Sequence, residues 1–227
     1  MTMMRIDIIS AVPDLLLSPL NTSIIKRAQD KGKIKIYIHN LRDYAFNKHK
    51  QIDDKPFGGG PGMVLKPEPF FECIEKLLQE RNYDHIIFTS PKGKIFDQKT
   101  ANKLSLANNI MFITGHYKEI DDRVRQKFAT DEISIGNFVL TGGELPALII
   151  VDAIIRLIPG VLNDSESALD DSFQDGEIVE APFYTRPADY KGMKVPEILL
   201  SGNEKEIKKW KEEQSRKLTE RWKNFNN

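Results

Sequence analysis

Apolar residues along the chain fall into short alternating runs separated by longer segments in which they recur every three or four positions. Arg5 to Val12 alternates into an apolar run and predicts a first strand. Helical spacing over Asn21 to Lys31 predicts a helix that Gly32 stops, and Ile34, Ile36 and Ile38 alternate through Lys33 to Asn40 as a second strand. Pro67 to Arg81 has helical spacing and leads into a strand over His85 to Ser90, with a turn at Pro91 and Gly93. A helix over Asp97 to Ala107, a short buried strand over Ile110 to Thr114 and a helix over Glu119 to Phe128 follow. Glu144 to Ile158 reads as a buried helix. This alternation predicts an α/β fold with a mostly parallel sheet.

The pattern changes after Pro159-Gly160. From Val161 to Thr185 there is no Lys or Arg, while Asp164, Glu166, Asp170, Asp171, Asp175, Glu177 and Glu180 accumulate, which marks a linker. A turn-rich stretch from Pro182 to Pro196 precedes a final helix from about Asn203 to Trp222, with Ile207, Trp210, Gln214 and Leu218 on one stripe. The expected division is a domain over 1–160, an acidic interdomain linker over 161–175 and a small helical C-terminal domain over 176–227. No internal repeat is present, so solenoid architectures are excluded.

Composition alters this picture little: 40% apolar and 29% charged residues fit an ordinary globular protein. The stretch Leu145 to Ile158 contains Asp152 and Arg156 and falls short of the roughly 20 residues that span a bilayer. Met1 to Val12 carries charge inside its apolar run and has no small-residue cleavage site, so a cytoplasmic location is expected, with no membrane partner. Cys73 stands alone on an apolar helix face and reads as a small core residue. Net charge is zero, yet Lys26, Arg27, Lys31, Lys33, Lys35, Arg42, Lys48, Lys50 and Lys55 cluster in one segment, a charge distribution suited to nucleic acid.

Candidate chemistry sits in turns. Gly58-Gly59-Gly60-Pro61-Gly62 exposes backbone N–H groups and admits a flat or anionic ligand, but lacks the Lys-Ser/Thr ending of a phosphate loop. Thr89-Ser90-Pro91, Thr114-Gly115-His116 and Ser134-Ile135-Gly136 with Leu140 to Glu144 are turns at or near strand ends, where open α/β sheets bind ligands. Together they could line one site for a nucleoside-like ligand. Asp152 and Arg156 lie four apart on an apolar helix, either as a structural pair or with Arg156 placed for a developing negative charge. Asp170-Asp171-Ser172-Phe173 offers a carboxylate that its acidic neighbour could tune towards a base.

These stretches resemble the bacterial tRNA (guanine-N1) methyltransferases of the knotted SPOUT class. The likeness runs over nearly the whole chain and is carried by Gly58-Gly59-Gly60-Pro61-Gly62-Met63, Ser134-Ile135-Gly136, Gly142-Gly143-Glu144-Leu145-Pro146, Ile158-Pro159-Gly160-Val161-Leu162, Asp171-Ser172-Phe173 and Tyr184-Thr185-Arg186-Pro187. The resemblance implies a deep trefoil knot in the parallel sheet, a homodimer and a C-terminal tRNA-binding domain. It implies methyl transfer from S-adenosylmethionine to N1 of the guanine at position 37 of tRNA, beside the anticodon. By resemblance, Thr89, Ser90, Pro91, Gly115, Ser134, Ile135, Gly136, Leu140, Gly142, Gly143 and Pro146 bind the cofactor, Gly59, Gly60, Pro61 and Ser172 bind substrate, Asp171 is the general base and Arg156 stabilises charge. Lys118 stands where the family pattern has Glu, Asn137 where it has Asp and Phe183 where it has His.

N1 of guanine carries a proton, so its attack on a methyl group requires a base and a donor to the ring oxygen. A divalent ion such as Mg has no ligand set readable in the chain, and DNA is not an expected partner. Two rivals remain at this stage. A non-catalytic RNA-binding protein would need only the basic segment and the C-terminal helix, and a nucleotide hydrolase would use the glycine loop at Gly58 to Gly62.

Overall fold

The computed structural model describes residues 3–162, 171–174 and 176–226. The chain divides into two compact units, Met1–Asn163 and Asp164–Asn227, a division inside the segment expected as linker. The first unit opens with β1 (Met4–Ser10), α1 (Asp14–Leu20), α2 (Ser23–Asp30) and β2 (Ile34–Asn40). It continues through β3 (Asp53–Asp54), β4 (Val64–Leu65), α3 (Pro67–Glu80), β5 (His85–Ile95), α4 (Gln98–Leu104) and β6 (Asn109–Ile113). Then come β7 (Glu119–Ile120), α5 (Asp122–Phe128), β8 (Asp131–Ser134) and α6 (Glu144–Ile155).

The central sheet has the order β2-β1-β6-β5-β8, and every neighbouring pair is parallel. Alternate residues of one strand enter different cores: Ile110 and Phe112 of β6 pack in one cluster, Met111 and Ile113 in the other. Helices α1, α2, α4 and α6 cover the first face, and α3 and α5 the second. A strand buried on both sides must be apolar throughout, which is why β6 appears in the sequence as an unbroken run. Asp7 is the charged exception among the buried strand residues described. Its carboxylate, fully buried on β1, accepts from Arg5 (2.7 and 2.9 Å), His39 Nε2 (2.7 Å) and the Tyr83 hydroxyl (2.9 Å), which offset its desolvation. Cys73 is buried, and burial pushes its thiol up to about 12, which makes it inert as a nucleophile.

Several expectations are corrected. Glu119 and Ile120 are not helical: they pair in parallel with Val64 and Leu65, and the helix starts only at Asp122, capped by the Asp121 side chain. The predicted strand His85 to Ser90 extends to Ile95, because pairing with β8 breaks at Thr89↔Ile133 and resumes at Lys94↔Ile133. Helix α1 was not foreseen, since Pro13 and Pro19 bracket its leucines as if in a loop. Helix α6 is apolar on most sides but not buried on all: Leu145 and Ile149 are half exposed, and the stripe continues to Asp152 and Arg156.

In the second unit, β9 (Asp189–Tyr190) and β10 (Met193–Lys194) form a short hairpin, followed by α7 (Glu197–Leu200) and α8 (Glu204–Asn226). Ile207, Trp210, Gln214 and Leu218 lie on the half-buried stripe of α8. Ser215 Oγ donates to the Val179 carbonyl (2.6 Å), the Val179 N–H donates to Thr219 Oγ1 (2.9 Å), and Trp210 meets Tyr184 at 6.3 Å between rings.

Candidate functional site

The loop inside β5 where its pairing breaks, the turns at the carboxyl ends of β6 and β8, and the segment entering α6 converge on one cleft. All eleven residues expected at a cofactor site, from Thr89 to Pro146, line this cleft. The close approach of three chain segments has a steric cause. Ser90 to Gly93 loop out where β5 loses register, and a Cβ on Gly93 would lie 2.5 Å from the Glu132 carbonyl carbon of β8. Only glycine lets the loop return to the sheet there.

The other walls are built the same way. The Gly143 N–H donates to the Gly115 carbonyl at 2.7 Å, and His116 and Gly142 form an antiparallel bridge. A Cβ on Gly142 would lie 2.6 Å from His116 Nδ1, and one on Gly143 would collide with Thr89 Oγ1 and lie 3.0 Å from the Gly115 nitrogen. On the opposite side, Ser134 Oγ donates to the Gly136 carbonyl (3.0 Å) and accepts the Gly136 N–H (3.2 Å), holding the turn against Phe138. The lining mixes apolar groups, Ile135, Phe138, Leu140 and Pro146, with backbone amides and a few polar side chains. A flat base with a polar tail fits such a surface.

The cleft also has walls outside the turns read from the sequence: Lys118, Glu119, Ile133, Phe138 and Val139. The first two follow the Gly115 turn closely, which was the available signal. Glu119 accepts from Lys92 Nζ at 3.1 Å and is therefore engaged. Lys118 has no ion pair among the described residues, and its ammonium lies beside Gly60, where an added Cβ would be 3.5 Å away. The Lys118 N–H donates to the Met63 carbonyl (3.0 Å), which ties the glycine loop to this turn. Gly59, Gly60 and Pro61 themselves do not line the cleft.

Arg156 is the C-cap residue of α6 and is not among the residues that line this cleft. At 1.5 Å per residue it lies roughly 18 Å along the helix from Glu144. Asp171 and Ser172 belong to the second unit. There Ser172 Oγ accepts the Glu180 N–H (3.0 Å), the Phe173 N–H donates to the Ile178 carbonyl (2.7 Å), and the Phe173 ring packs 5.2 Å from Trp222 of α8. Asp170, expected to crowd Asp171, lies outside the described residues. Among the described residues no group of three or more His, Cys, Asp or Glu could hold a metal, and no helix is long and apolar enough to cross a membrane.

A parallel α/β sheet with glycine turns gathered around one cleft at its strand ends has the arrangement in which open α/β proteins bind ligands. The family described as tRNA (guanine-1)-methyltransferase TrmD matches residues 4–224. The chain is 54% identical over 216 residues to a tRNA (guanine-N(1)-)-methyltransferase of Chlorobaculum tepidum, covering 95% of this chain and 94% of the relative. It is 57% identical over 218 residues to that of Bacteroides fragilis, covering 96% of each, and 58% identical over 210 residues to that of Flavobacterium johnsoniae, covering 92% of each. The chain belongs to the tRNA (guanine-1)-methyltransferase family.

Proposed function

We propose that this chain methylates N1 of guanine at position 37 of tRNA, beside the anticodon, working in the cytoplasm with S-adenosylmethionine as methyl donor. The family match over residues 4–224 carries the reading. The cleft supports the cofactor assignment: its glycine walls bring main chain to the cleft surface, and a Cβ at Gly142 or Gly143 finds no room. The eleven turn residues from Thr89 to Pro146 hold the cofactor in this reading. Bound S-adenosylmethionine supplies an electrophilic methyl on sulfur, which leaves with the bonding pair retained by the sulfur. Asp171 takes the N1 proton as the N–C bond forms, and Arg156 steadies the charge that develops on the guanine oxygen. The glycine loop at Gly59, Gly60 and Pro61, with Ser172, contacts the substrate base, and the basic segment from Lys26 to Lys55 holds the tRNA backbone.

The sheet is proposed to carry a trefoil knot near its C-terminal end, and the enzyme to act as a homodimer. The half-exposed apolar stripe of α6, Leu145 and Ile149, supports a partner-covered helix. So does Arg156, which stands away from the cleft of its own chain. Incubating the protein with unmodified tRNA and labelled S-adenosylmethionine, then mapping the modified nucleoside, tests the reaction. Label at N1 of guanine 37 is expected; tRNA binding without transfer would favour a non-catalytic RNA-binding protein instead. Asp171→Asn should keep both affinities while single-turnover transfer falls by about 10²–10⁴. A normal bound-state rate in that variant removes Asp171 from the base role.

A further inference from the structure

Beneath the cleft lies a carboxylate that this reaction does not use. Glu144, the first residue of α6, is 1% exposed. Its Oε1 accepts from Ser10 Oγ, at the end of β1, at 2.8 Å. Thr114, just after β6, has its hydroxyl 3.2 Å from the same oxygen and 2.7 Å from the Ile9 carbonyl. One carboxylate thus gathers two strand ends onto the start of a helix. Its second oxygen, Oε2, is buried and has no hydrogen-bond partner; neither has the buried Nδ1 of His116, 3.8 Å away. Native folds rarely leave two such atoms facing each other.

The gap between them is bounded by the cofactor turn. A Cβ on Gly142 would fall 2.5 Å from Glu144 Oε2 and 2.6 Å from His116 Nδ1. His116 also lines the cleft and is bridged through its backbone to Gly142. Its other polar neighbours are spoken for or turned away: Tyr117 meets the imidazole edge to face at 5.4 Å, Glu119 is engaged by Lys92, and Lys118 lies over the glycine loop. Glu144 is the carboxylate placed to receive Nδ1–H.

We propose that Glu144 is a positioning residue for the cofactor: when a ligand fills the cleft, His116 closes onto Glu144 and the Gly115–His116 and Gly142–Gly143 turns lock around it. A movement of roughly 1 Å turns the 3.8 Å separation into a hydrogen bond. The inference rests on reading the cleft as an S-adenosylmethionine site. Its test is a double-mutant cycle in the full chain, read by calorimetry with S-adenosylhomocysteine, an unreactive probe. His116→Phe keeps a ring but removes the donor, and Glu144→Gln keeps an acceptor for Ser10 but removes the charge. Each should weaken binding about tenfold, and the double variant should be no weaker than either single one. In transfer assays the KM for S-adenosylmethionine should rise by more than kcat falls. In the wild-type chain, a His116 Nδ1–H proton signal protected from exchange should appear on adding the probe. Additive losses, or unchanged affinity in folded His116→Phe, would overturn the proposal even if Glu144→Gln failed to fold. A wild-type chain that binds no S-adenosylhomocysteine at all would overturn the reading of the cleft, and this inference with it.

Discussion

Two glycine-rich regions of this chain look alike in sequence and work by opposite physics. In the loop at Gly58 to Gly62, the glycines at 58, 59, 60 and 62 have φ between +77° and +101°, and a Cβ on Gly58 or Gly59 would meet nothing within 4 Å. Glycine is needed there for a left-handed backbone. At Gly93, Gly142 and Gly143 no positive φ is involved, and a Cβ would run into neighbouring chain. Glycine is needed there for space. The difference separates a loop with open space around Gly58 and Gly59 from turns whose shape is set by packed neighbours.

The contrast breaks first at Gly142. Gly142→Val should abolish cofactor binding, because its side chain would enter the gap between Glu144 and His116; normal calorimetric affinity in a folded variant would remove these turns from the site. Gly93→Ala should cost about 1–3 kcal/mol in chemical denaturation, since β5 must move off the Glu132 backbone. Asp7→Asn gives a reference that disturbs neither glycine set. Burial raises the Asp7 carboxyl, but hydrogen bonds from His39, Arg5 and Tyr83 together hold it below the ordinary 3.8. A depressed folded-state value contributes stability above the unfolded value near 3.8, lost as pH falls through the folded value. The variant should therefore be less stable at neutral pH with a flatter acid limb, while cofactor affinity in the folded fraction is unchanged. Smallest is Gly59→Ala, about 1–2 kcal/mol of left-handed strain, with cofactor affinity intact and tRNA transfer reduced. A Gly59→Ala variant that lost the cofactor would merge the two regions.

The cleft was legible because its residues sit in turns that follow apolar runs, and such turns gather at one edge of a parallel sheet. Strands β1, β2, β5 and β6 were legible as short apolar or alternating runs, whereas β8, with Asp131 and Glu132 in its four residues, carried no such signal. What escaped was pairing too short to show a period. Strands β4 and β7 are two residues each, and the Glu119-Ile120 pair could not be told from the start of the helix that follows. Glu144 escaped differently. An acid at the first position of a helix is ordinary for a solvated N-terminus, and nothing in the sequence reveals that Ser10, Thr114 and His116 close over it. Arg156 showed its helix but not its distance from the cleft, which depends on which end of α6 the cleft occupies.

The cleft walls at Gly115, Gly142 and Gly143 are main chain, and main chain cannot be edited one residue at a time. A competitive inhibitor that hydrogen-bonds to those amides and carbonyls, rather than to side chains, confronts a surface with almost no escape mutations. A side chain added at one of these glycines puts a Cβ against Ile120 from Gly115, against His116 and Glu144 from Gly142, or into Thr89 from Gly143. Resistance would then have to arise at the rim, at residues such as Tyr117, Lys118 or Val139, whose side chains are free to change.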